Sequence, residues 1–110
     1  MQVEKYVGIA YARPKFCREL VRVVLEDHGI KMPLVDSPAD AIGWMKVGVP
    51  RALDVVVFQT KGIADHVGVC IGRGRFLHVE EGARSRIEFL SSIIWINRIE
   101  GFYRYEHCEE

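Results

Sequence analysis

Residues Ala64 to Glu80 constrain this chain more than any other stretch. The segment runs Ala-Asp-His-Val-Gly-Val-Cys-Ile, turns through Gly72-Arg73-Gly74, and continues Arg-Phe-Leu-His-Val-Glu. Two alternating, β-branched runs around a short glycine-containing turn spell a β-hairpin. Alternation then sorts the side chains. Val67, Val69, Ile71, Leu77 and Val79 occupy odd positions and make one apolar face. They share that face only if the strands pair in an even register, which a turn of this length supplies. The even, polar face carries His66, Gly68, Cys70, Phe76, His78 and Glu80. In this register His66 and His78 are directly opposite or one diagonal apart, roughly 5–8 Å between Cβ atoms. Gly68 leaves room beside them. The hairpin presents two imidazoles and no nucleophile, so a nucleophile has to come from elsewhere.

Composition narrows the classes. A chain of 110 residues makes one domain, taken here as 1–110, and 49% hydrophobic content excludes a disordered one. Fifteen basic residues balance fifteen acidic ones, which leaves no footprint for nucleic acid. Nothing approaches a bilayer-spanning apolar run. No apolar leader opens the chain, so the expectation is no signal peptide and a cytoplasmic or virion-assembled protein. The three cysteines are widely spaced, without a C-x-x-C pair, and read as reduced thiols.

Upstream of the hairpin the apolar spacing is helical. Val3, Tyr6, Val7 and Ala10 predict a short amphipathic helix over Gln2–Tyr11, broken at Arg13-Pro14. Cys17, Leu20, Val21, Val24 and Leu25 predict a second helix over Phe16–Asp27, ended by His28-Gly29. Asp36-Ser37-Pro38 reads as the start of a third, over Ala39 to about Met45. Strands are expected over Leu53–Gln59, Ser85–Leu90 and Ile99–Tyr105, with Ser91–Trp95 ambiguous and the tail from His107 frayed. Helices followed by strands imply an α+β fold with a meandering antiparallel sheet.

Cys17 opens the inward stripe of its helix. There the unpaired N–H groups, the helix dipole and the nearby Arg13, Lys15 and Arg18 are expected to favour a thiolate. Packing that stripe on the sheet would bring thiol and imidazoles together, as nucleophilic catalysis requires. The plainer alternative is that Cys17 is a small buried hydrophobe and the histidines are half-exposed strand residues. A zinc site from His66, Cys70 and His78 lacks a fourth ligand, so no metal and no cofactor are expected.

Three blocks resemble the NlpC-type (NlpC/p-sixty) papain-like cysteine peptidases. They are Tyr6–Tyr11 followed by Cys17–Arg22, then Asp54–Phe58, then Asp65–Val79. The closing Ile99–Arg104 resembles the last strand of the bacteriophage-tail branch. The resemblance implies a papain-like α+β domain with N-terminal helices packed on the sheet. It implies Cys17 as nucleophile, His66 as general base and His78 as the residue orienting His66, with Tyr11 and Asp65 at the oxyanion and substrate site. The implied substrate is a peptidoglycan stem peptide, cut beside D-γ-glutamyl residues, with other phage-tail proteins as partners. The family usually shows Asp before the nucleophile, then a small or aromatic residue and then Gly after it; here stand Phe16, Arg18 and Glu19. A binding module without catalysis, or a thiol acyltransferase, therefore stays open beside the amidase.

Overall fold

The computed structural model describes residues 2–31 and 43–105. Among these residues, one α-helix, α1 (Phe16–Asp27), packs on a six-stranded antiparallel sheet. The strands are β1 (Trp44–Val47), β2 (Val55–Thr60), β3 (Ile63–Gly72), β4 (Arg75–His78), β5 (Arg86–Phe89) and β6 (Ile99–Tyr105), in the spatial order β1-β6-β2-β3-β4-β5.

The α1 stripe sits where its spacing placed it: Leu20, Val21, Val24 and Leu25 are buried. They meet Val67, Val69, Ile71, Leu77 and Val79, the odd face of the β3–β4 hairpin, in one core. Pairing of Val69 with Leu77 and of Cys70 with Phe76 confirms the even register. The even face is a different matter. Instead of a polar surface, Cys70, Phe76 and His78 are buried with Val56, Phe58, Leu90 and Trp95. The sheet is thus covered on both faces, by α1 on one and by the segment after β5 on the other. That is why β2 reads as a continuous apolar run.

The N-terminal part departs from expectation. No helix spans Gln2–Tyr11; a single 3-10 turn, Glu4–Tyr6, is followed by extended chain. The tertiary partner explains it. Gly8 N–H donates to Ser85 O (2.9 Å), Ser85 N–H to Ile9 O (2.8 Å) and Tyr11 N–H to Ala83 O (3.0 Å). The buried Ser85 hydroxyl donates to Tyr6 O (2.5 Å) and accepts from Ile9 N–H (2.8 Å). Backbone groups bound to another segment are lost to a helix, and Gly8 at φ 88° already breaks one. Of the expected third helix, residues 39–42 lie outside the described residues, as do the cap at Ser37 and the tail from His107. Trp44 and Met45 belong instead to β1, paired with Tyr105 and Arg104. Trp44 is buried against the Tyr105 ring, centroids 5.7 Å apart, and that packing overrides a short helical pattern. The ambiguous Ser91–Trp95 is a turn, followed by a 3-10 turn at Ile96–Arg98.

Candidate active site

Cys17 lies in the first turn of α1. The helix has no side-chain cap; its N-cap residue, Lys15, is left-handed at φ 64°. Backbone carbonyls just before the helix take up two of its first-turn N–H groups: Phe16 N–H donates to Arg13 O and Arg18 N–H to Lys15 O, both at 3.0 Å. The backbone N–H dipoles of Val67, Arg18 and Cys17 lie near the half-buried sulfur and favour its ionised form. Burial is nevertheless the larger influence: it pushes the Cys17 thiol up, against those dipoles and the Arg18 charge. The thiolate expected from the helix start is thus overturned; the resting group is a thiol.

His66 comes from β3, on the sheet face away from α1. It packs on Phe58 and stacks on Trp95, centroids 5.6 and 5.4 Å. Thiol and imidazole nevertheless border the same clefts, beside an irregular stretch of the strand. Phe58 pairs with His66 but Gln59 with Ala64, so Asp65 is an extra, bulged residue; the β2–β6 ladder also shifts between Val57 and Phe58. Bulges bend a strand and re-aim its side chains. Cys17 and His66 both line two adjoining clefts of about 250 and 230 Å³, with Tyr11 and Asp65 common to both.

His66 Nε2 lies 2.8 Å from His78 Nδ1. The diagonal arises because His78 faces Gly68 in the hairpin register. A Cβ at Gly68 would stand 3.0 Å from Leu77 O and 3.3 Å from His78 Cβ, so the side chain is absent where His78 needs space. Both imidazoles are neutral. Burial, then the nearby His78, brings His66 down to about 4. Burial likewise lowers His78, against its bond to Glu88.

Tyr11 and Asp65 carry bonds of their own at the cleft walls. The Tyr11 hydroxyl accepts from Lys15 N–H at 3.1 Å, which leaves its own proton free to donate. Asp65 accepts from Thr60 Oγ1 (2.6 Å) and pairs with Arg98 (3.2 Å). The unusual neighbours of Cys17 form one surface group: Arg13 pairs with Glu19 and lies over the Phe16 ring, which meets Tyr11 edge-on at 5.8 Å. Cys70 is buried in the second core, where burial, then the Asp54 charge, raises its thiol to about 12.

Two residues were not foreseen. Glu88 Oε2 lies 2.7 Å from His78 Nε2, and Trp95 Nε1–H donates to Glu88 Oε1 at 3.1 Å. Extending the odd–even rule from β4 to β5 finds Glu88, since Phe76 pairs with it; the intervening turn hid that register. Atoms of His78, Glu80 and Glu88 lie within 4.8 Å of one another. Arg86 already pairs with both carboxylates, so the group is neutralised by a guanidinium rather than arranged around a cation.

A sequence profile described as the NlpC/P60 family matches residues 10–104. The chain belongs to this family. A NlpC/P60 family protein from Bacillus cereus shares its fold, with a TM-score of 0.77 at 22% identity over 94% of this chain and 38% of that one. A Staphylococcus aureus protein, described as similar to lipoprotein, NLP/P60 family, superposes with a TM-score of 0.73 at 23% identity, over 94% and 39%. The chain thus spans under two-fifths of either NlpC/P60 relative. No curated protein matches its sequence. No helix among the described residues is long and apolar enough to cross a membrane.

Proposed function

We propose that this NlpC/P60 domain is a thiol amidase acting on peptidoglycan stem peptides, beside D-γ-glutamyl residues. The observation that carries the reading is the shared cleft: a half-buried thiol at a helix start and an imidazole held at 2.8 Å by a second imidazole line the same space. Neutral partners imply general-base attack rather than a resting ion pair. As Cys17 Sγ adds to the amide carbonyl carbon, its proton passes to His66. The Cys17 N–H and the Tyr11 hydroxyl stabilise the oxyanion, and Asp65 borders the substrate. Collapse breaks the C–N bond, and His66 returns the proton to the leaving amine. Water then attacks the thioester, again through His66, and frees the acid and the thiol. The closing strand Ile99–Arg104 supports a bacteriophage-tail setting with tail proteins as partners.

A second reading, binding without turnover, is favoured by the Phe16–Glu19 departure and by the burial that raises the thiol. Intact mass after incubation with a D-γ-glutamyl muropeptide decides. Cleaved product, or an acyl adduct on Cys17 that Cys17→Ala lacks, supports the amidase. Unchanged substrate with saturable binding supports the module, and an acyl group passed to an added amine in place of water indicates an acyltransferase.

A further inference from the structure

The contact that holds His66 continues past His78. Three strands contribute to one line of diagonals: His66 on β3, His78 on β4, Glu88 on β5. His78 is fully buried, so each of its ring nitrogens must find a protein partner. Its Nε2 faces Glu88 Oε2 at 2.7 Å and its Nδ1 faces His66 Nε2 at 2.8 Å.

Proton counting orders this line. An ionised carboxylate only accepts, and a neutral imidazole carries one proton. Burial opposes the Glu88 charge, but bonds from His78 and Trp95 and the charge of Arg86 outweigh it, so the carboxyl stays below its usual range. The proton between Glu88 and His78 therefore sits on His78 Nε2. His78 Nδ1 is left as a lone pair, and the proton filling the next contact belongs to His66 Nε2. His66 Nδ1 is then bare.

We propose that Glu88 is a positioning residue of this site: through His78 it fixes the tautomer in which His66 Nδ1 is the free base for Cys17. The inference rests on the amidase reading for its consequence in catalysis, but not for the proton order. The carboxylate is itself held. Trp95 Nε1–H donates to Oε1 at 3.1 Å and Arg86 Nε–H to Oε2 at 2.8 Å. The same Trp95 ring stacks on His66 and stands edge-on to His78, centroids 5.4 and 4.9 Å. One indole thus fixes both imidazoles and the acceptor.

Glu88→Gln combined with Arg86→Met separates proton order from shape. Arg86 and Trp95 can only donate, one to each carboxylate oxygen, so the guanidinium is removed to leave Trp95 as the one obligate donor. Trp95 then keeps the amide oxygen and the NH₂ turns toward His78 Nε2. His78 must then carry its proton on Nδ1, donate to His66 Nε2, and force the His66 proton onto Nδ1. In a serine-protease triad, the same carboxylate-to-amide change costs about 10⁴-fold in kcat by imposing the wrong tautomer. Long-range ¹⁵N NMR on histidine-labelled protein should find both wild-type imidazoles protonated on Nε2, and both moved to Nδ1 in the double variant. Muropeptide hydrolysis should lose on the order of 10²–10⁴ in kcat with little change in KM. Wild-type His66 protonated on Nδ1 overturns the proposal, even if the variant does not fold. So does a folded double variant with the wild-type tautomers. A wild type with the expected tautomers but no hydrolysis sinks the amidase reading and leaves the proton order of the relay standing.

Discussion

Neutral His66 sets a pH dependence that can be measured without a substrate. In the unfolded chain an imidazole titrates near 6.5, whereas in the fold burial and His78 hold His66 at about 4. Between these values the unfolded state binds the extra proton, so stability falls as pH falls through the window. It is fully present above about 6.5. His78 is shifted in the same direction. Thermal melts from pH 7 to 4 should show a falling Tm; a Tm that holds or rises on acidification would mean the imidazoles are not buried as neutral bases. The two described cysteines give a second residue-scale test. Cys17 borders the clefts, while Cys70 is sealed in the second core with its thiol near 12. Iodoacetamide should label Cys17 and spare Cys70 in native protein. Its rate should climb toward and beyond pH 9 without an acidic plateau, because burial raises this thiol too. Equal labelling of the two peptides on mapping would refute the burial difference.

At the scale of elements, the hairpin register is what brings the imidazoles together, and Gly68 is its weakest point. Gly68→Ala puts a methyl 3.0 Å from Leu77 O and from Phe76 Cδ2. Backbone cannot yield there as a flexible side chain would, so β3 and β4 must part slightly. Overpacking of this kind costs about 1–3 kcal/mol. The same shift moves His78 from His66. Urea titration should therefore show reduced stability, and any hydrolytic activity should fall further than stability explains. A fully stable, fully active variant would contradict the close approach. The bulge at Asp65 belongs to this scale as well: it interrupts the regular pairing of β2 with β3 next to His66, while alternation alone sends Val67 to the α1 core and His66 to the other face.

Across the whole molecule, Trp95 joins structure and site. It is 1% exposed and sits among Phe58, Phe76, His66 and His78. Trp95→Ala removes the largest side chain of the core on the sheet face opposite α1 and leaves Glu88 one donor short. Large-to-small changes of this type cost about 3–5 kcal/mol. Denaturant unfolding should show a loss of this size, with the midpoint moving and the slope little changed. A loss under 1 kcal/mol would mean the second core does not depend on the indole.

The sequence determined α1, the β3–β4 register and its odd-face core, since each follows from apolar spacing within one segment. Helical period fixed Phe16–Asp27 and two-residue period fixed which hairpin residues face α1. It also placed His66 beside His78, a short-range consequence of turn length. Tertiary structure decided what depends on partners far along the chain. Gln2–Tyr11 carries a helical pattern yet bonds its backbone to Ser85, and Trp44–Val47 follows Tyr105 into the sheet. The even face, polar by composition, became a core because Trp95 folds over it. Burial reversed the electrostatic expectation for Cys17, since desolvation acts on the final position of a group and not on its helix. Glu88 reached His78 by a strand pairing across a turn whose length does not announce its register, and no local pattern carries that information.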